Sequence, residues 1–482
     1  MPLKMMLFSA FCCFLIVIEL NAVVIDNNGV REHATELQSR RRRSEMMDDD
    51  EKFYHDKEKK GEANRAHKSG GRKNDLKQFK HQAKLKKETA MKAITEKCRN
   101  NPECKRQKPK FKKMRQAAKM TQMKVLLKKF NGNRNLAEKA AEKILAATQD
   151  VKKALMKKAG LDNIVEPADD GVIEGDILLT LEQATQLKNI IENRPTDGSY
   201  DDIQLPPIEL NVKGPVADEP VDGVGIHRTN RGTSLFMEQL TGMKWTKMPI
   251  PYIISSDFSD PETTDIRDAI TMIQDNTCVK FTPVFADPRV PHINFTRSQT
   301  ADHCGLSSIG KNEWVNVIDL LPNCGHPLKF VTIHEIMHSL GISHTQNRED
   351  RDFFVDINWD YVDPQVMSYY DNSYEKEYSS SYGVAYNYAS IMHYNAYTGS
   401  IDGSTRIMEP KFPPIQERVD IMGQRTKISA TDWELINRMY CKPESCADKN
   451  HKCGIWAISL FCEDSRYKSY LEENCPKSCE LC

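Results

Sequence analysis

The eleven residues His334-Glu-Ile-Met-His-Ser-Leu-Gly-Ile-Ser-His344 restrict this chain more than any other segment does. On a helix, His334 and His338 stand one turn apart, so both imidazoles leave the same face. That spacing suits two nitrogens about 2 Å from one Zn²⁺. Glu335 projects beside them, placed to take a proton from a water rather than to ligate. Gly341 permits an exit from the helix with φ > 0, and the turn brings His344 round as a third ligand. Three protein ligands leave one coordination position open, which separates a catalytic metal from a structural one. Histidines merely satisfied in a core give no such pattern, which arises by chance in fewer than about one chain in ten thousand.

The rest of the 482 residues divides into several segments. Lys4, the apolar run Met5 to Ile18 and the small-residue stretch Leu20-Asn21-Ala22 read as a secretory signal over residues 1–22. The run is shorter than the ~20 residues of a membrane span, and nothing later approaches that length, so no transmembrane span is expected. Of 14 cysteines, Cys12 and Cys13 leave with the signal; the remaining even, exported set implies disulfides. Arg40-Arg41-Arg42-Arg43 is a tetrabasic run of the kind furin-like proteases cut. Between Lys52 and Gly160 there are 34 Lys plus Arg against 10 Asp plus Glu, so the net charge of zero hides a strongly basic stretch. Few aromatics accompany it, and it is expected to be largely disordered. The exception is Phe111 to Phe130, where Met120, Met123, Leu127 and Phe130 recur at helical spacing; it reads as a solvated helix, with membrane or acidic partners as the alternative. Cys98 and Cys104 are close enough to pair. Asp197 to Gly232, rich in Pro, Gly and Asp, reads as a linker. Trp245 to Cys441 is long enough to bury a core. Cys446 to Cys482 is a short piece with six cysteines, too small to stand without crosslinks.

The extended zinc signature is that of the metzincins, and within them the sequence resembles the astacin family. The match is carried by His334 to His344, by Arg348-Glu-Asp350-Arg351-Asp352 and by Ser390-Ile391-Met392-His393-Tyr394. The resemblance implies that Met392 lies beneath the metal. It makes Tyr394 a displaceable fifth ligand that stabilises the oxyanion once it swings away. The Arg348 to Asp352 run and Tyr394 speak against a matrixin or adamalysin-type protease. Two positions depart from the family pattern. Ile342 replaces a Phe, and Thr345 replaces the Glu that engages the mature N-terminus through a buried contact.

The same resemblance makes Val172-Ile173-Glu174-Gly175-Asp176 an aspartate switch, with Asp176 on the zinc of the zymogen. Activation then requires a cut between Asp176 and Trp245, with Arg228 and Arg231 ahead of Lys244 as sites for a trypsin-like protease. It implies Cys278–Cys441 and Cys304–Cys324 disulfides. The C-terminal piece resembles a ShKT module, in an arrangement associated with nematodes and cnidarians. For that module the family implies Cys446–Cys482, Cys453–Cys475 and Cys462–Cys479. Its Tyr467-Lys468 pair reverses the order that channel-blocking toxins use, so a targeting or capping role is expected instead. Asn294-Phe-Thr296 is a glycosylation sequon.

The sequence therefore predicts an α+β metzincin-type domain with a twisted sheet and zinc helix, followed by a disulfide-rich module. The segments are a signal over 1–22, a basic propeptide over 23–231, a peptidase domain over 232–441 and a ShKT domain over 446–482. The expected chemistry is hydrolysis of extracellular proteins, matrix or cuticle among them, by one Zn²⁺ per chain with Glu335 as base. The protein would be secreted as a zymogen and would bind no nucleic acid. The alternative is a secreted ShKT-mediated binding protein with a vestigial protease domain; intact Glu335 and three histidines weigh against it.

Overall fold

Two six-residue runs, His292–Arg297 and Val315–Leu320, are buried along nearly their whole length and form the middle of the sheet. The computed structural model describes residues 69–193 and 244–482, apart from 287, 299–302, 349, 372–379, 443–445, 451 and 459–460. Residues 77–482 form one compact unit; of residues 1–76, only the opening turns of a helix are described. The signal at 1–22, Arg40 to Arg43, the 197–232 linker, Arg228 and Arg231 lie outside the described residues.

Six strands make the main sheet: β1 (Ile177–Leu178), β2 (Ile250–Ile254), β3 (Phe281–Pro283), β4 (His292–Arg297), β5 (Gly305–Ser308) and β6 (Val315–Leu320). Their spatial order is β1-β5-β6-β4-β2-β3, and only the β5–β6 pairing is antiparallel. Helix α5 (Asp260–Asn276) opens on a capping box between Ser259 and Glu262, which satisfies two otherwise orphaned N–H groups. Helix α6 (Leu328–Ser339) is buried almost throughout; Val331, Ile333, Ile336, Met337 and Leu340 join Ile318 and Leu320 in the largest apolar cluster. This half is the expected twisted-sheet subdomain. The half after Ser343 is irregular, with a short β7–β8 pair (Val355–Ile357, Met408–Pro410) and helices α7 (Ile415–Ile421) and α8 (Ala430–Ile436). Tyr370, Tyr386, Tyr388, Trp359 and Met408 fill its core. Cys278–Cys441 joins α5's end to the end of this half, and Cys304–Cys324 staples the loop ahead of α6.

Upstream of residue 194 the structure departs from expectation. The lysine-rich stretch is helical from Ser69: α1 (Ser69–Cys98), α2 (Pro109–Lys129), α3 (Arg134–Lys158) and α4 (Leu181–Asn193), with Cys98 bonded to Cys104. Composition averages two faces together. Ala90, Met91, Ile94 and Phe111 bury against Phe354, Trp359 and Met367, while Ala118 and Leu145 bury against Leu306 and Val317. Many of the lysines, such as Lys112, Lys113, Lys128 and Lys129, keep to the exposed face, and tertiary packing supplies the order that propensity alone does not. Of the four stripe residues between 111 and 130, only Met120 is exposed; Met123, Leu127 and Phe130 pack on Leu126, Ala137, Ala141 and Ile144. The stripe therefore closes a helical hairpin, not a membrane-facing surface. Lys152, Asp170 and Tyr369 form a buried cluster: Lys152 donates to Asp170 and to the Ala168 carbonyl, and Tyr369 donates to Asp170.

The C-terminal module carries α9 (Cys453–Ile458) and α10 (Lys468–Asn474), and the three bonds the family resemblance implied, Cys446–Cys482, Cys453–Cys475 and Cys462–Cys479. Asp448 accepts from the Lys477 and Ser478 backbones, and Trp456 and Tyr467 are core residues. Asn294 stands in the middle of β4 at 5% exposure, hydrogen-bonded strands on both sides. This corrects the sequon reading, because a carbohydrate-bearing amide must lie in solvent.

At the β4–β6 edge facing α2, Asp319 accepts from Thr121 (2.9 Å), Thr296 (2.5 Å) and Lys124 (2.6 Å). Burial opposes its charge, but His303, then Lys124 and Thr296, outweigh burial and hold the carboxyl at about 2. A carboxylate depressed in the fold stabilises it above the unfolded value and loses that effect as pH falls through the folded one. At about 1.4 kcal/mol per unit, Asp319→Asn should cost about 2 kcal/mol at neutral pH. In urea titrations the gap to wild type should narrow as pH falls from about 4 toward about 2. A gap constant with pH would show that the charge of Asp319 is not what matters.

Candidate metal centre

The centre is built from the end of α6 outward. Gly341 has φ 103°, its N–H bonds the His338 carbonyl at 2.7 Å, and the Ile342 N–H bonds the Met337 carbonyl at 2.8 Å. These are the two bonds of a Schellman turn, in which the left-handed position belongs to glycine. The turn carries the chain back so that His344 meets the two helical histidines.

Each imidazole is oriented from behind. His334 Nδ1 faces the Ile391 carbonyl at 2.9 Å, His338 Nδ1 the Ile342 carbonyl at 2.7 Å, and His344 Nδ1 the Glu174 carboxylate at 3.0 Å. Oxygens of these kinds only accept, so Nδ1 carries a proton in all three rings, and Nε2 is the nitrogen left to meet a cation. The three Nε2 atoms converge on Asp176, whose carboxylate lies 3.4 Å from His334, 3.6 Å from His338 and 3.2 Å from His344. All four ligand atoms fall within 4.8 Å of one another. His344 Nε2 and Asp176 Oδ1 are buried without hydrogen-bond partners, as donor atoms aimed at one cation would be.

Electrostatics agrees. Burial opposes charge on every member. It holds His334 well below the ordinary imidazole range and brings His338 down to about 4, leaving both neutral. At His344 burial is overcome by Asp176 and Glu174, and the ring rises to about 9. Asp176 is held well below the usual carboxylate range, since His344 and its neighbours outweigh burial. Three imidazoles around a buried carboxylate thus demand positive charge at their focus. An N₃O donor set of this kind suits Zn²⁺.

Glu335 lies beside the cluster, its Oε2 buried and without a partner. Burial, then the charge of Asp176, push its carboxyl well up. It fits only because residue 305 is glycine: a Cβ there would sit 2.2 Å from Glu335 Oε1. Met392 shares the main apolar cluster with Ile336, Met337 and Leu340. The Tyr394 ring lies 4.5 Å from that of His344, inclined to it by 58°, and its hydroxyl donates to the Glu174 carbonyl.

Two participants escape a reading of the sequence. Glu174 lies inside the motif that carries Asp176, yet its carboxylate also accepts from Ser343 at 2.9 Å and orients His344. Arg425 is a half-buried guanidinium that donates to the His393 carbonyl at 3.1 Å, and its charge lowers both His334 and Glu335. No spacing signal points to it. Thr345 donates to Ser390 at 3.0 Å, and Ser390 donates to buried Asp432 at 2.6 Å. A carboxylate therefore lies two hydrogen bonds from the position where the family has its own.

A helix bearing two of three histidines, a glycine turn and a third histidine beneath a mixed sheet define a metzincin zinc centre. Residues 237–441 match the profile of the astacin peptidase family, and residues 445–482 that of the ShK domain-like module. The chain thus carries an astacin domain followed by an ShK-like domain. It is 36% identical over 383 residues to zinc metalloproteinase nas-10 of Caenorhabditis elegans, covering 79% of this chain and 65% of that one. With nas-9 of the same organism it shares 38% over 336 residues, 70% of this chain and 57% of that one. The chain thus spans under two thirds of these relatives' length. The nas-10 alignment is longer than residues 237–482, so the likeness reaches into the helical segment upstream.

The purified chain should contain about one zinc by elemental analysis, and His334→Ala or His344→Ala should lose it. Chelation should also lower the thermal midpoint, because a ligand bound only by the folded state stabilises it. Full metal content in His344→Ala would remove that residue from the donor set.

Proposed function

We propose that this chain is the secreted zymogen of a zinc-dependent endopeptidase, acting on extracellular proteins, with Asp176 as the zymogen's own ligand. The observation that carries the reading is a carboxylate inserted among three oriented Nε2 atoms, with a second carboxylate, Glu335, unpartnered at its side. Six disulfides support an extracellular setting, and among the described residues no helix is long and apolar enough to cross a membrane. Intact donors and an intact base do not favour the vestigial-protease alternative.

His334, His338 and His344 would hold the zinc, as the three-nitrogen set described above. Zinc held there supplies Lewis acidity, polarising a scissile carbonyl and bringing a water's pKa to about 7. Glu335 takes the proton of the attacking water and passes it to the leaving amine. In the precursor, the Asp176 loop occupies the focus and ties up Tyr394 through the Glu174 carbonyl. Strand β1 fills the edge of β5 at the same time. When a trypsin-like or furin-like protease releases this segment, the Tyr394 hydroxyl is free to donate to the developing oxyanion. Arg425 adds fixed positive charge nearby.

Glu335→Ala should keep zinc and fold but lose at least about three orders of magnitude in turnover, measured on an activated sample with a broad protein substrate. Retained turnover would assign the base elsewhere. Uncut Asp176→Ala precursor should show measurable peptidase activity where uncut wild type shows none. An equally silent Asp176→Ala precursor would mean that steric cover alone enforces latency.

A further inference from the structure

We propose that the basic helical segment stays docked on the peptidase after the activating cut, held by aspartates of the peptidase that are not metal ligands. Latency then ends only when these lysine–aspartate contacts are broken. The inference rests on the zymogen reading and explains what the charge of that segment is for.

The contacts run in one direction. Lysines of α1 and α2 and of the turn between them meet aspartates of the peptidase. Lys124 pairs with Asp319 at 2.6 Å, Lys108 with Asp363 at 2.5 Å, Lys87 with Asp371 at 3.4 Å and Lys86 with Asp356 at 3.0 Å. The side chains of Asp319, Asp363 and Asp371 are only 3%, 2% and 8% exposed. With the segment in place these carboxylates are shielded from water, and withdrawing it would break four close cation–carboxylate pairs together. It would also open two apolar faces at once, Leu306 with Val317 on the sheet, and Phe354 with Trp359 and Met367 on the irregular half. Patches of that kind do not stay bare on a soluble protein.

A cut between residues 194 and 243 touches none of these contacts. The Asp176 loop is anchored on its upstream side, where Lys152, Asp170 and Tyr369 form their buried cluster. The severed strand lies downstream of it. The segment also keeps its own crosslink, Cys98–Cys104, and its helical hairpin, so it has no cause to unravel on being cut. What remains is a non-covalent complex of opposite charges, favoured by low ionic strength because the Debye length is about 10 Å at 0.1 M salt. Full activation then calls for further hydrolysis within the segment, whose Lys112, Lys113, Lys128 and Lys129 are exposed to a trypsin-like protease.

The test uses the full chain with the recognition sequence of a selective endopeptidase replacing residues 227–231. After cutting, size-exclusion chromatography at about 0.05 M and about 0.5 M salt asks whether the fragments travel together. The wild type should co-elute at low salt and be silent toward a protein substrate. Lys108→Gln with Lys124→Gln, which leaves the peptidase untouched, should weaken the complex at least about tenfold. Should that pair fail to fold, Lys86→Gln with Lys87→Gln makes the same comparison. Cut Asp176→Ala should still co-elute, since docking does not depend on the metal contact. The elution readout needs no turnover, so an inactive chain neither rescues nor sinks the inference. Wild-type fragments that part at low salt, a complex as active as the free enzyme, or release caused by Asp176→Ala would each overturn it.

Discussion

Everything at the centre depends on three Nδ1–H groups having somewhere to donate. Two give to main-chain carbonyls, of Ile391 and Ile342, and the third gives to the Glu174 carboxylate. Those oxygens fix each tautomer and turn each Nε2 inward. The two main-chain acceptors come from the peptidase itself, and one of them is created by the Schellman turn at Gly341. The same turn thus places His344 and orients His338. The third acceptor belongs to the upstream segment, so the orientation of His344, unlike that of the other two, depends on that segment being in place.

The upstream segment is integrated into the fold rather than draped on it. Its strand β1 extends the sheet in parallel with β5, and Gly175, at φ 85°, lets the chain pass where a Cβ would lie 3.1 Å from the Tyr394 hydroxyl. The Lys152–Asp170 pair is buried on both sides, and Tyr369 of the peptidase half completes it. Removing one partner of such a pair typically costs roughly 3–5 kcal/mol, because the other charge stays behind without water. Energetically this cluster anchors the loop that carries Asp176, which cannot shift without disturbing it.

The metal centre was the most legible part of the sequence, because a one-turn spacing and a glycine exit are local properties of the backbone. Asp176 was legible only through its neighbourhood, since Gly-Asp by itself describes a turn. The helices over 69–158 were not legible. Their many lysines outweigh the apolar positions in any average along the chain, and several buried positions, such as Ala117, Ala118, Ala137 and Ala141, are alanines, which register weakly in any pattern. Asn294 failed for a related reason: a sequon is a three-residue signal, whereas burial in a central strand is decided by partners far along the chain. Arg425 is set beside the centre by tertiary structure alone.

The ShK-like module does not hang from a tether. Arg438 spans from the Tyr382 carbonyl and Glu434 to Glu480 of the module, and Lys477 lies over the Tyr382 ring. Gly383 is pressed so close to the Ser478 carbonyl that a methyl group would not fit. A module seated in this way turns with the peptidase as one rigid piece. Any surface bound by the module would meet the mouth of the cleft at an angle set by these contacts, as a blade is set by its handle. The geometry of attachment, as much as the chemistry of the cleft, then decides which bonds come within reach.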